Sequence, residues 1–323
     1  FSEVSKFIDT MQENRFDWNF DTGLLGSISK FELEKLIFIS NKIYKFSKKL
    51  KSKTIAKNTL SRCLVQYRIV RSLLKKGHIL EIGPGSGLLG ALIGCDKSYK
   101  YTGLEVCQAF YITQHEIWKY IFGNNIAEQL NNFKEKKINH IPWWNFVNLD
   151  YKLPKFDCVT ANHVFAEMHE YAMTFTIKRI YDLLKDNGLV ICEGIGSTRD
   201  VSTEKVLDEF LKYGFSIHHI GKIKKVCGFD NVFIFKKIAN SNPYAVNPHL
   251  FIKAKGKLFS RKTLGHLKRG VFTDLGLKVD NLRTSFDEVV NYNKKSVLNR
   301  LNQIDKNILP SKNDLFLRYV GQS

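Results

Sequence analysis

The stretch "HILEIGPGSGLLG", residues 78 to 90, constrains this chain more than any other. An apolar run ends at Glu81 and Ile82, and Gly83, Gly85, Gly87 and Gly90 follow in close order. A strand that feeds a glycine turn and then a helix lets backbone N–H groups meet a polar or anionic ligand. Glycines allow the tight turn and bring bare backbone against that ligand. A second acid, Glu105, stands near the end of the next apolar run, 20 residues after Gly85. At that spacing a strand-end carboxylate can accept both hydroxyls of a ribose.

From His78 onward, β-rich runs alternate with helical ones. "HILEI", "YKYTGLEV", "KINHIPWWNF", "FDCVTANHVF" and "GLVICEGI" read as strands. "CQAFYITQHEIWKYIF", "EYAMTFTIKRIYDLL" (closed by "KDNG") and "VSTEKVLDEFLKYG" carry apolar residues at helical spacing. Alternation of this kind predicts a parallel sheet covered by helices. "FSIHHIGKI" and "NVFIFKKI" then read as an antiparallel pair. The expected fold is α/β: a Rossmann-like, seven-stranded, mostly parallel sheet with a closing antiparallel strand pair. Residues 1–76 form a helical N-terminal region and 77–238 the α/β domain. Residues 239–323 form a basic C-terminal extension, set off by "NSNPYAVNPH" and holding one predicted helix over "FDEVVNYNKKSVLNRLNQI".

Charge and cysteine content narrow the setting. Fifty Lys and Arg against 31 Asp and Glu give a net charge of +19, and the run from Lys35 to Lys76 contains no acid. A basic surface attracts polyanions: nucleic acid, anionic membrane, nucleotide-sugars or phosphorylated glycans. The basic segments lack an arginine-rich or RNP-like pattern, so nucleic acid is the less favoured partner. No apolar run approaches the roughly 18 residues of a membrane span. No signal peptide is visible, and a cytoplasmic location is expected. The six cysteines are scattered without a C-x-x-C pair, which argues against a zinc site and a disulfide framework. Cys158 and Cys192 sit within apolar runs and are expected to be buried.

Gly85, Gly87 and Gly90 also satisfy G-x-G-x-x-G, a pattern that by itself fits an NAD-dependent dehydrogenase. Glu81 separates the readings. A carboxylate two residues before the first glycine repels a pyrophosphate, whereas S-adenosyl-L-methionine carries a sulfonium and an ammonium. "LEIGPGSG", followed by Glu105, resembles motifs I and II of class I S-adenosylmethionine-dependent methyltransferases, over roughly residues 70 to 238. More narrowly, "FDCVTANHVFAEMHEYAM" is similar to a segment of bacterial sugar O-methyltransferases, through Asn162, Phe165, Glu167 and Met168. "IPWW" and the late "LFLRYVG" resemble the same family. The resemblance implies S-adenosyl-L-methionine as cofactor, held by Glu81, Gly83, Gly85, Gly87 and Glu105. Trp143 or Trp144 would flank the adenine while the other packs in the core, and Asn162 would complete the set.

The acceptor implied is a sugar, nucleotide-sugar or glycan. A sugar hydroxyl is a very weak acid, so a base must take its proton as the C–O bond forms. His163, at the mouth of the fourth predicted strand, is the favoured base, since imidazole ordinarily titrates near 6.5. Glu167 either takes that role or orients the sugar. Glu193, ending the fifth predicted strand, is a third polar group over the same crevice. The three together would suit a divalent cation, but no local ligand spacing supports one. The aromatic segment "RFDWNFDTG" reads as helix packing or as a cover for the acceptor. An RNA methyltransferase on the same fold is the main rival, although Asn162 is not followed by a Pro-Pro-aromatic run. A dehydrogenase and a catalytically silent relative stand behind it.

Overall fold

The computed structural model describes residues 29–49, 57–196, 201–225 and 228–238. The expected C-terminal helix, "LFLRYVG" and "RFDWNFDTG" lie outside the described residues. The helices are α1 (Lys30–Lys49), α2 (Lys57–Leu73), α3 (Leu88–Gly94), α4 (Gln108–Phe122), α5 (Trp143–Val147), α6 (Glu170–Leu183) and α7 (Thr203–Lys212). The strands are β1 (Gly77–Ile82), β2 (Tyr99–Glu105), β3 (Ile126–Glu128), β4 (Ile138–Pro142), β5 (Phe156–Asn162), β6 (Leu184–Glu193), β7 (Phe215–Lys225) and β8 (Gly228–Lys237). They form one sheet in the order β3-β4-β2-β1-β5-β6-β8-β7. Strands β1 to β6 run parallel, and β8 lies antiparallel between β6 and β7.

The sheet therefore has eight strands where seven were expected. The addition is β3, a three-residue edge strand paired to β4. Three residues are too few to display an alternating pattern, so periodicity alone had no purchase on it. The "KDNG" turn also differs from its expected place after a helix. It falls within β6, where Asn187 adopts φ 60° and the pairing with β5 shifts between Phe156 and Cys158.

The two faces of the sheet bury separate apolar clusters. Ile39, Leu64, Tyr67, Leu92, Trp118 and Ile191 pack on the side of α1 to α4. Val159, Phe165, Ile177, Phe210 and Phe235 pack on the side of α6 and α7. Burying an aliphatic or phenyl side chain of this kind contributes roughly 1.5–3 kcal/mol. Cys158 and Cys192 are fully buried. Ser29 opens α1 with a reciprocal cap: its hydroxyl accepts from the Glu32 N–H, and its own N–H donates to Glu32 Oε2 at 2.9 Å. Glu32 in turn receives Arg68 of α2 in a buried two-point pair at 2.8 Å. Tyr67 of α2 donates to Asp96 just past α3 at 2.5 Å, so the two leading helices share the core of the sheet.

Candidate active site

Strand β1 has β2 on one side and β5 on the other, so the chain reverses its direction of winding there. Ligands of open α/β sheets bind at the carboxyl ends of strands at such a point. The glycine turn leaves β1 at this position. Gly83, Gly85 and Gly87 all have positive φ, at 66°, 57° and 73°. A Cβ on Gly83 would lie 2.6 Å from Val164, so the loop after β5 requires the glycine. Among the described residues a Cβ on Gly85 would meet nothing within 4 Å, so they leave space over that part of the turn.

Glu105 ends β2 facing this turn and is buried. Its Oε1 accepts the N–H groups of Val106 and Cys107, each at 2.9 Å. Its Oε2 accepts the N–H of Gly85 at 3.2 Å and Gln114 Nε2 at 3.0 Å. Gln114 had no place in the sequence reading. Its signal was a polar residue on the apolar stripe that also carries Trp118 and Ile121.

Glu81 is buried beneath the turn and accepts the Tyr101 hydroxyl at 2.5 Å. Burial pushes its carboxyl up to about 8; the Tyr101 hydrogen bond opposes this, and nearby Glu105 adds to it. A cationic group beside this buried acid would favour its ionised form.

Across the switch point stand Asn162, His163 and Glu193. Asn162 ends β5, and both polar atoms of its buried carboxamide lack a partner among the described residues. His163 follows with φ 60°, an uncommon conformation for a residue with a Cβ. Its N–H donates to the Glu193 carbonyl at 2.7 Å. The ring lies against Gly194, where a Cβ would come within 2.2 Å of Nδ1. His163 Nε2 stands 3.7 Å from Glu193 Oε1, at ion-pair range. Glu193 is 1% exposed, and its other oxygen accepts Gln66 Nε2 of α2 at 3.0 Å. Gln66 was missed as well, being a polar residue inside an apolar helical run.

The structure thus joins His163 to Glu193. Glu167 lies exposed in a short 3₁₀ turn, Phe165–Glu167, and no hydrogen bond or ion pair among the described residues links it to either of them. Among the described residues no group of three acidic, His or Cys side chains is arranged to hold a metal ion. Trp143 and Trp144 are 47% and 49% exposed and meet edge to face. The expectation that one of them packs in the core is therefore corrected. Helical spacing in α5 turns Asn145 and Phe146 inward instead, Asn145 donating to the Gln129 and Leu130 carbonyls.

A sheet of this order, with a glycine turn and two buried acids at its switch point, defines a Rossmann-like methyltransferase fold. The sequence matches the methyltransferase domain family over residues 56–279, more than half its length, and the chain belongs to that family. S-adenosyl-L-methionine is its cofactor. The described residues fit it: the space they leave over Gly85, the ribose-type acid Glu105, the buried acid Glu81 for a cationic group and the carboxamide of Asn162, which has no partner among them. No curated protein matches the chain. Among solved structures, it is similar to a methyltransferase from Pyrococcus furiosus, at 17% identity over 55% of this chain and 83% of that one, with a TM-score of 0.41. It is also similar to magnesium protoporphyrin IX methyltransferase from Synechocystis PCC 6803 with bound cofactor, at 13% identity over 73% and 95%, with a TM-score of 0.42. A TehB-like methyltransferase from Corynebacterium glutamicum matches at 13% identity over 53% and 86%, with a TM-score of 0.42. Among the described residues no helix is long and apolar enough to cross a membrane.

Proposed function

We propose that this chain is an O-methyltransferase acting on a sugar hydroxyl, in nucleotide-sugar or surface-glycan metabolism, with His163 as the base. The observation that carries the reading is the left-handed His163 seated on Gly194 beside the buried Glu193. Backbone strain of this kind costs on the order of 1–3 kcal/mol and persists where the surroundings hold it for a purpose. The similarity of the segment through Asn162, Phe165, Glu167 and Met168 to sugar O-methyltransferases supports the acceptor class.

Bound S-adenosylmethionine supplies an electrophilic methyl group on a sulfonium. The chain's residues deal with the acceptor and its proton. His163 takes the hydroxyl proton as the new C–O bond forms. Glu193 stabilises the resulting imidazolium across the 3.7 Å gap. Asn162 hydrogen-bonds the cofactor, and the exposed Glu167 orients the sugar. Trp143 or Trp144 offers an aromatic face to the adenine.

The test is incubation of the protein with labelled S-adenosylmethionine and a panel of sugars, nucleotide-sugars, glycans and structured RNA. Methyl incorporation into a carbohydrate hydroxyl is the expected result. Incorporation into RNA, with tight and strongly salt-dependent binding, overturns the sugar reading in favour of an RNA methyltransferase.

A further inference from the structure

Gln114 sits at the centre of a buried contact that the methyl-transfer chemistry does not call on. Its Nε2 donates to the Gly85 carbonyl at 2.6 Å and to Glu105 Oε2 at 3.0 Å. Two acceptors on that side fix the amide's orientation, because a flipped Oε1 would face a carbonyl and a carboxylate. Oε1 is thereby turned to His140 Nε2 at 3.2 Å. An amide oxygen has no proton to give, so Nε2 of His140 carries it.

The ring of His140 is itself held in place. It is fully buried on β4, stacked on Tyr111 at 3.8 Å and met edge-on by Trp118 at 4.9 Å. Burial lowers its pKa to about 3, and His115 nearby adds to this, so the ring stays neutral around pH 7. Trp118 also donates to the Gly87 carbonyl at 2.7 Å. Residues 114 and 118 share one face of α4, so this face grips two alternate glycines of the turn.

Glu105 now receives four N–H groups, about as many as a carboxylate accepts. The Gly85 N–H, at 3.2 Å, is the longest of them and the one a ribose hydroxyl most readily replaces. The Gln114 N–H then keeps the carboxylate in plane. We propose that Gln114, oriented by His140, is a positioning residue that aims Glu105 at a ribose diol and so sets the site's preference for ribose over deoxyribose ligands. This rests on S-adenosylmethionine being the ligand of the turn.

Calorimetry with S-adenosylhomocysteine and its 2′-deoxy analogue tests it, on wild-type protein and on the Gln114→Met and His140→Phe variants, with thermal midpoints measured alongside. Gln114→Met is expected to weaken S-adenosylhomocysteine about tenfold or more, the scale of one hydrogen bond to a charged group. The 2′-deoxy ligand, which keeps one of the two hydroxyls, is expected to lose less, so that the wild-type preference narrows. His140→Phe is expected to move the ratio the same way by a smaller factor, and it decides the matter if Gln114→Met does not fold. Equal losses for both ligands overturn the proposal, because Gln114 would then merely brace the turn. Wild-type protein that binds neither ligand overturns the cofactor reading itself, a result separate from any change in the ratio.

Discussion

The two sides of the switch point are built on opposite principles. On the β1–β2 side, Glu105 has four N–H partners and the Gly85 and Gly87 carbonyls are each held by a side chain of α4. On the β5–β6 side, the Asn162 carboxamide is buried without a partner among the described residues, and His163 sits in a strained backbone conformation. Leaving a buried polar group unsatisfied costs about 1–3 kcal/mol. The first side is finished before any ligand arrives and suits a ligand that never changes. The second side keeps the hydrogen-bonding capacity of Asn162 in reserve, which on the proposed reading serves the cofactor beside the acceptor.

Changes on the two sides should therefore act on different quantities. The largest effect is expected from His163→Gln, which should lower the single-turnover rate by roughly 10²–10⁴ while leaving the affinity for S-adenosylhomocysteine unchanged. A rate within a few-fold of wild type would move the base elsewhere, with Glu167→Gln the next variant to measure. Glu105→Ala should do the converse. It should weaken cofactor binding by about tenfold to a hundredfold, given 1.5–3 kcal/mol for a hydrogen bond to a charged group, with little change in rate at saturation. Unchanged affinity by calorimetry would remove Glu105 from the ribose.

Glu193→Gln sharpens the contrast on the acceptor side. It keeps the packing against Gln66 but loses the charge facing His163. The turnover number should fall about tenfold with the acceptor KM held, since one electrostatic contact of 1–2 kcal/mol is removed. A change in KM alone would make Glu193 a binding residue.

Glu81 links stability to pH. Its carboxyl is raised by burial from an ordinary 4.5 to about 8. Between those values the folded chain keeps a proton that the unfolded chain has released. The stabilisation is present below pH 4.5 and is lost as pH rises through about 8. Glu81→Gln has no such titration, so its melting temperature should gain on wild type across that window. Parallel pH profiles for the two proteins would contradict the buried-acid assignment. The smallest effect is expected from Trp144→Ala. At 49% exposure, the loss should be a few-fold in cofactor affinity and little in stability, read by calorimetry and thermal melting.

Much of this was legible in the chain itself. The strand, the glycine turn and Glu105 follow from local pattern, because a period of two, a run of glycines and a fixed spacing are properties of neighbours along the chain. The strand order around β1 was decided by the tertiary structure, because handed crossovers narrow the topologies without choosing β1's neighbours. Strand β3 was not legible, being too short to show a period. The fates of Trp143 and Trp144 were not legible either: which residues of a five-residue helix face inward depends on where the Gln129 and Leu130 carbonyls lie.

By itself, then, the sequence determined the α/β class, the glycine turn after β1 and the acids Glu81 and Glu105 at the ends of β1 and β2. The tertiary structure alone decided which distant side chains complete the site. Gln66 reaches Glu193 across 127 positions and His140 reaches Gln114 across 26. Hydrogen bonds of that kind leave no periodic trace, because they depend on which helix packs over which strand end.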